Sequence, residues 1–281
     1  MKVINVSIDL NQTFSVTKLG SLQLTGGMTA LLSEELQMLV LLSDPMQLRK
    51  VGSLLPGSGE GNVADTAGAL WKRGYIVPVN ESAIEDDGSI DFLTADIAMD
   101  PQSAALKMAE GELIKARADL KRRGFYVSIA RRAARKVRPV NGRGHHVLVI
   151  EDDPLLAGMY RHLLSMMGCS ASTASNRMEM EVSVRELLRP DLVLLDLNLP
   201  DINGFDALHW FSNHEKFGST PVLVASADTS KEAIVRAIAL GADGYITKPI
   251  VVDSFIDSIR AILGMPAIDR SREGAWSSVV S

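Results

Sequence analysis

An α/β chain is predicted, with a doubly wound, five-stranded parallel sheet in its C-terminal half and a smaller α+β domain ahead of it. Three observations predict this. From His146 onward, five short apolar runs alternate with five helix-length amphipathic stretches, the rhythm of strand–helix crossover units. Polar residues stand where those runs end. The first hundred residues follow another order, three helical stretches and then one strand.

The C-terminal elements come first. HVLVIE is a continuous apolar run, as expected of a strand covered on both faces. PLLAGMYRHLLSMMG sets Leu155, Leu156, Met159, Leu163 and Met166 at helical spacing and stops at Gly168, a suitable helix end. CSASTAS reads as a second strand and NRMEMEVSVRELLR as a second helix. DLVLLDL, GFDALHWFSNHEK, PVLVASA, SKEAIVRAIALGAD, GYITKP and VDSFIDSIRAIL complete the alternation. In the N-terminal half, ALLSEELQMLVLLSDP reads as a helix ended by Pro45, MQLRKVGSLLP as a short second helix and NVADTAGALWKRG as a third ending at Gly74. YIVPVNES follows as a strand. Residues 1–27 alternate weakly and are expected to form a strand pair.

Function is expected at one sheet edge. Glu151 and Asp152 end the first strand, Asp196 the third, Ser226 the fourth and Lys248 the fifth. In a doubly wound sheet, functional residues gather at the carboxyl ends of the strands. Carboxylates crowded there raise one another's pKa unless a cation is present, and three of them suit a hard, oxygen-preferring ion such as Mg²⁺. Lys248 and the Ser226 hydroxyl would complete a pocket for a further anion, a phosphoryl group. The implied chemistry is in-line attack by a carboxylate on phosphorus.

Composition narrows the setting. No apolar run approaches the ~20 residues a membrane span requires. MKVINVSIDLNQ reaches polar residues before a signal-like core can form, so the expected compartment is the cytoplasm. Cys169 is the only cysteine, which excludes a disulfide framework and a cysteine metal site. Charge is segregated: residues 1–100 carry net −7, 101–144 net +9, and 145–281 net −7. Such a basic segment is either a solvated joint between acidic neighbours or a surface for an anionic partner.

Residues 146–263 resemble the receiver domain of two-component response regulators. VLVIEDDP, LVLLDLNLPDINGFDAL, PVLVASA and GADGYITKP are close to that family's motifs. The resemblance implies a flavodoxin-like fold, Asp196 as phosphoacceptor and Mg²⁺ as cofactor. Asp152 would ligate the ion directly, Glu151 largely through water, and the backbone carbonyl of Asn198 would be a further ligand. Lys248 would bond the phosphoryl group. Ser226 and Tyr245 would be the switch pair, and Lys248–Pro249 would match the family's Lys-Pro peptide. Glu151 departs from the family's Asp-Asp pair, in a variant the family tolerates. The resemblance also implies a sensor histidine kinase or phosphotransfer protein as partner. A phosphatase of this fold usually carries a second aspartate two residues after the nucleophile, where Asn198 stands; turnover is therefore expected to stop at self-phosphorylation and self-dephosphorylation.

Residues 29–83 resemble a winged helix-turn-helix, which opens two outputs. One is transcriptional, through this module or through the basic segment with Arg122, Arg123, Arg131, Arg132, Arg135 and Lys136. The other is protein docking gated by phosphorylation. Asn62, Lys72 and Arg73 are the base-reading candidates on the third helix, set in an acidic block where phosphate contacts would have to form. The expected organisation is an effector or interaction domain at 1–100, a basic helical linker at 101–144, a receiver at 145–265 and a tail at 266–281. A second copy, through the receiver, is a candidate partner; a membrane is not.

Overall fold

The computed structural model describes residues 8–79, 127–131, 144–186 and 189–266. The N-terminal part runs β1 (Thr13–Val16), α1 (Lys18–Thr25), α2 (Ser33–Leu41), β2 (Met46–Gln47), α3 (Leu48–Leu54), α4 (Glu60–Lys72) and β3 (Ile76–Pro78). Its three strands form an antiparallel sheet in the order β2-β1-β3. The helices expected from 29 to 74 and the strand after them are present. The strand pair expected over 1–27 is not. Only Thr13–Val16 is a strand, and Lys18–Thr25 is a helix; residues 1–7 lie outside the described residues. The helix is fixed by a cap, the Thr17 hydroxyl accepting from the Gly20 amide at 3.1 Å, which the weak alternation of FSVTKLGSLQL concealed.

Helix α2 is buried without a break from Glu35 to Leu41. A consecutive buried run of that length passes round the whole circumference of a helix, so this stretch is packed on more than one side. One side meets α4 and α1. The other meets the C-terminal half.

The C-terminal half comprises β4 (Ser128–Ala130), β5 (His146–Ile150), α5 (Pro154–Met166), β6 (Ser170–Ala174), α6 (Arg177–Glu186), β7 (Leu192–Leu195), α7 (Gly204–Asn213), β8 (Val222–Ser226), α8 (Lys231–Ala239), β9 (Gly244–Thr247) and α9 (Val252–Ile262). Five strands are parallel, and the sheet order is β4-β9-β8-β7-β5-β6. Successive residues point to opposite faces. Val147, Val149, Leu192 and Ile246 join α5 and α9 on one face. Leu148, Ile150, Leu195 and Tyr245 join α6, α7 and α8 on the other. The second core continues without interruption into the N-terminal part, through Leu36, Met38, Leu39 and Phe14, because α2 lies along α8.

Strand β4 corrects an expectation. Ser128–Ala130 falls within the segment expected to be a basic helical linker, yet it is a buried sixth strand, antiparallel to β9. The sequence SIA offers apolar and small side chains that fit the sheet edge. The strand also joins the two halves: Gly27 N–H donates to the Ser128 carbonyl at 3.0 Å and Thr29 N–H to the Ala130 carbonyl at 2.9 Å. Residues 80–126 and 132–143, which hold the end of the expected N-terminal domain and the rest of the expected linker, lie outside the described residues, as does the tail from 267 onward. Gly244 makes this edge accessible, since a Cβ there would fall 2.4 Å from the Ile129 carbonyl oxygen. Gly244→Ala is expected to cost about 1–3 kcal/mol, read as a lowered thermal midpoint with amide exchange rising in β4.

At the opposite end of the strands, His146 donates its backbone N–H to Asp191 Oδ2 at 2.9 Å. Its ring lies between Ser170 and Ser172 hydroxyls at 2.9 and 3.1 Å. Burial lowers its pKa below the ordinary 6.5, against the opposing pull of Asp191. Below 6.5 the unfolded chain therefore takes up a proton that the folded one resists. Stability is expected to drop as pH falls through that value toward the folded one. His146→Gln should remove this share of the slope in thermal unfolding measured from about pH 7.5 to 5.5.

Candidate functional site

Parallel pairing sets the site. The registers Val147↔Leu192, Val193↔Val222 and Leu223↔Gly244 align the carboxyl ends of β5, β7, β8 and β9. Backbone bonds fix the residues that follow: Asp196 N–H donates to the Ile150 carbonyl at 2.9 Å and Lys248 N–H to the Ser226 carbonyl at 2.8 Å. Glu151, Asp152, Asp196, Ser226 and Lys248 are thereby brought together at one edge.

Their contacts are specific. Lys248 Nζ donates to Asp196 Oδ2 at 2.7 Å and to Glu151 Oε2 and Oε1 at 2.8 and 3.1 Å. Glu151 and Asp196 are buried, whereas Asp152 is exposed. One oxygen from each of the three carboxylates lies within 4.8 Å of the others. Three acids thus face one ammonium. Burial raises the Glu151 pKa, more than its bonds to Lys248 lower it, and Asp196 adds to the rise. Burial would pull the Lys248 pKa down, but its bonds to Asp196 and Glu151 outweigh this and raise it. This donor set, all carboxylate oxygens with uncompensated negative charge, fits a hard divalent cation.

The surrounding loops hold the acids in place. Asn198 N–H donates to Asp196 Oδ1 at 3.0 Å, and Asn198 bridges to Asn203. Gly204 permits that turn, because a Cβ there would lie 2.2 Å from Leu197 Cα. Asp153 caps α5, accepting from Leu155 and Leu156 amides, as its place before a helix suggests. The Lys248–Pro249 peptide is cis. On β8, the Ser226 oxygen accepts from Asp228 N–H at 3.1 Å. Tyr245 is buried and donates its hydroxyl to the Asp228 carbonyl at 2.7 Å.

The basic candidates divide. Arg131 donates to Ser33 Oγ at 2.8 Å and pairs with Asp243 at 2.9 Å, so it joins the two halves and does not stand free for nucleic acid. Arg122, Arg123, Arg132, Arg135 and Lys136 lie outside the described residues. Just past α4, Arg73 pairs with Glu35 at 3.1 Å, and the exposed residues of the helix's first two turns are Glu60, Gly61, Asn62 and Asp65.

Two residues escaped the sequence reading. Asp228 carries no motif, yet its backbone ties Ser226 to Tyr245. Tyr160 is fully buried with its ring stacked on Phe255 at 5.3 Å, and its hydroxyl has no hydrogen-bond partner among the described residues. The available signal was a phenol in an inward stripe that is otherwise aliphatic.

A family model described as the response regulator receiver domain matches residues 147–260. The chain is 32% identical over 139 residues to the probable transcriptional regulatory protein TcrX of Mycobacterium tuberculosis, covering 50% of this chain but only 58% of that one. It is 32% identical over 118 residues to the polar-differentiation response regulator DivK of Brucella anthropi, covering 42% of this chain and 95% of that one. The chemotaxis response regulator CheY4 of Vibrio cholerae is a solved structure with 25% identity and a TM-score of 0.40, covering 43% of this chain and 99% of that one. Receivers of this kind work with histidine kinases or phosphotransfer proteins in two-component signalling. No helix among the described residues is long and apolar enough to cross a membrane. With nearly the whole of a DivK protein matched above 30% identity, and with the acids and the lysine gathered at one sheet edge, the chain belongs to the response regulator receiver family.

Proposed function

We propose that this chain accepts a phosphoryl group on Asp196 from a histidine kinase or phosphotransfer protein in the cytoplasm, and that acceptance alters its N-terminal module. The observation that carries the proposal is the triple contact of Lys248 with Asp196 and Glu151 beside Asp152. Glu151, Asp152, Asp196 and the Asn198 carbonyl would hold Mg²⁺, which when bound offsets negative charge on the incoming phosphoryl oxygens. An Asp196 carboxylate oxygen attacks phosphorus, a P–O bond forms, and the donor's P–N bond breaks with its electron pair returning to the imidazole. Lys248 turns its ammonium from the carboxylates toward the phosphoryl oxygens, where charge develops. No acid is needed from the chain beyond this, which limits its own chemistry to phosphorylation and dephosphorylation of Asp196.

A path toward α2 follows from the contacts. Turning toward the phosphoryl group, the Ser226 hydroxyl releases Asp228 N–H. Asp228 also receives the Tyr245 hydroxyl, and its Oδ1 accepts from Ser230 N–H at 2.9 Å. Ser230 caps α8 through Ala233 N–H, and Lys231 pairs at 2.5 Å with Asp44, just beyond α2. Repacking of this loop would therefore reach α2 through α8.

For the output, the acidic and small exposed start of α4 favours docking to a protein over reading of DNA bases. The transcriptional alternative, suggested by the name of the TcrX relative, rests on the basic residues outside the described set. A receiver homodimer through the α8–β9–α9 face would have to form around α2 and β4, which already cover parts of it. The test is incubation of the intact chain with Mg²⁺ and acetyl phosphate. A mass gain of one phosphoryl group, abolished by chelator and accompanied by changed amide exchange in α8 and α2, is expected. An unlabelled chain would refute the proposal, and duplex binding that weakens with salt would move the output to DNA.

A further inference from the structure

We infer that Thr247 is a positioning residue for Lys248, fixing the lysine's backbone against strand β4 so that its ammonium meets the charge developing on a phosphoryl group. This rests on the phosphoacceptor reading and extends it to a residue outside the carboxylate edge.

The sheet poses the problem. Lys248 directly follows β9, which in a five-stranded sheet would be an edge strand with one row of backbone groups unpaired. Strand ends of that kind open readily. Yet Lys248 Nζ lies at 2.7, 2.8 and 3.1 Å from three carboxylate oxygens at once. A long side chain can be aimed only as well as its backbone is placed. On the inner side, the Lys248 N–H donates to the Ser226 carbonyl at 2.8 Å. On the outer side, the residue before it is clamped to the chain entering β4.

Thr247 makes that clamp with its side chain. Continuing the register Ser128↔Ile246 sets Val127 opposite Thr247. Thr247 N–H donates to the Val127 carbonyl at 3.0 Å. The return bond goes to the hydroxyl: Val127 N–H donates to Thr247 Oγ1 at 3.0 Å, and the hydroxyl donates to the Val127 carbonyl at 3.3 Å. Both residues are buried, Thr247 at 1% and Val127 at 0% exposure, so water cannot replace a bond lost there. Strand β4 is itself held firmly. Gly27 and Thr29 amides donate to its carbonyls, and Ser128 Oγ meets Ser258 Oγ of α9 at 3.3 Å. One peptide unit separates the clamp from the Lys248 Cα. The lysine side chain can therefore turn from Glu151 and Asp196 to a phosphoryl group while its backbone stays in place. The clamp needs an oxygen at Thr247. Valine has the same shape and would leave the Val127 N–H unpaired.

The experiment measures initial labelling of the full-length chain by acetyl phosphate, read as intact mass. The donor concentration is varied at saturating Mg²⁺, well below the melting temperature of each variant. Thr247→Val is expected to lower the saturating rate about tenfold, a fraction of the loss for removing the lysine outright. The half-saturating donor concentration should not change, because Lys248 acts on charge that develops in the transition state. Thr247→Ser should restore the rate. Added to Lys248→Ala, Thr247→Val should cause no further loss, since it acts through the lysine. Val127→Pro removes the same bond from the other side, just ahead of β4 where a strand tolerates proline, and the same loss is expected. Parent rates in either folded variant overturn the inference. So does a loss that persists in Lys248→Ala, that appears only in the half-saturating concentration, or that Thr247→Ser fails to restore. A parent that takes up no phosphoryl group fails the phosphoacceptor reading itself, a result separate from the Thr247 comparison.

Discussion

Asp196→Asn is expected to abolish labelling by acetyl phosphate while leaving the fold intact. The amide cannot supply the anionic oxygen that attacks phosphorus, and no neighbour replaces it. Glu151 has both oxygens engaged by Lys248, and Asp152 is exposed with no comparable link to the lysine. Folding is expected to survive for an electrostatic reason. Three carboxylates face one ammonium, and removing one charge eases their mutual repulsion while Lys248 keeps Glu151. A chain that retains its thermal midpoint but takes up no phosphoryl group, by intact mass, is the predicted result. Labelling at the parent's level would remove Asp196 from its role. Lys248→Ala gives the graded counterpart. Loss of a preorganised cation at developing charge is worth about 10²–10³ in rate, so slow labelling should remain in that variant and in Asp196→Asn none.

Leu39→Ala is expected to destabilise both halves together. Leu39 is fully buried in α2, and a truncation of this kind costs about 2–5 kcal/mol through lost burial and the cavity left behind. Where that cost is felt is the informative part. α2 lies against α4 and α1 on one side and against α8 on the other, within a single continuous core that runs from Phe14 to Tyr245. There is no solvent layer along which the halves can part. Amide exchange should therefore rise in β1 and β3 of the N-terminal sheet and in β8 and α8 of the receiver by the same free energy. Exchange that rises only in the N-terminal part would show that the receiver folds without α2. In that event the path from Asp228 to Asp44 could not carry a signal between coupled elements.

Arg131 illustrates why the basic segment was hard to read. Its charge pointed to an anionic partner, and an acid was indeed its partner, but it was Asp243 of the same chain. Formal charge records that a side chain seeks a counter-charge; it carries no record of which one. Strand β4 escaped for a related reason. Three residues give too short a period to separate strand from helix, and their pairing partner, β9, lies far along the chain. The helix α1 was masked by a sequence compatible with either period and was decided by the Thr17 cap and by the approach of Gly20 to the Tyr75 carbonyl, 2.1 Å from where a Cβ would stand.

The five parallel strands, their helices and the acidic edge were legible because each rests on local patterning. Strands covered on both faces must be apolar throughout, and residues ending them must share one edge once the connections are parallel. Glu151, Asp152, Asp196, Ser226 and Lys248 follow from those two facts alone. What packs on either side of α2, where β4 inserts and that the Tyr160 hydroxyl has no partner among the described residues were settled only in the tertiary structure. Those features arise from contacts between segments remote in the chain, whose energies depend on the final packing and leave no period in the residues that make them.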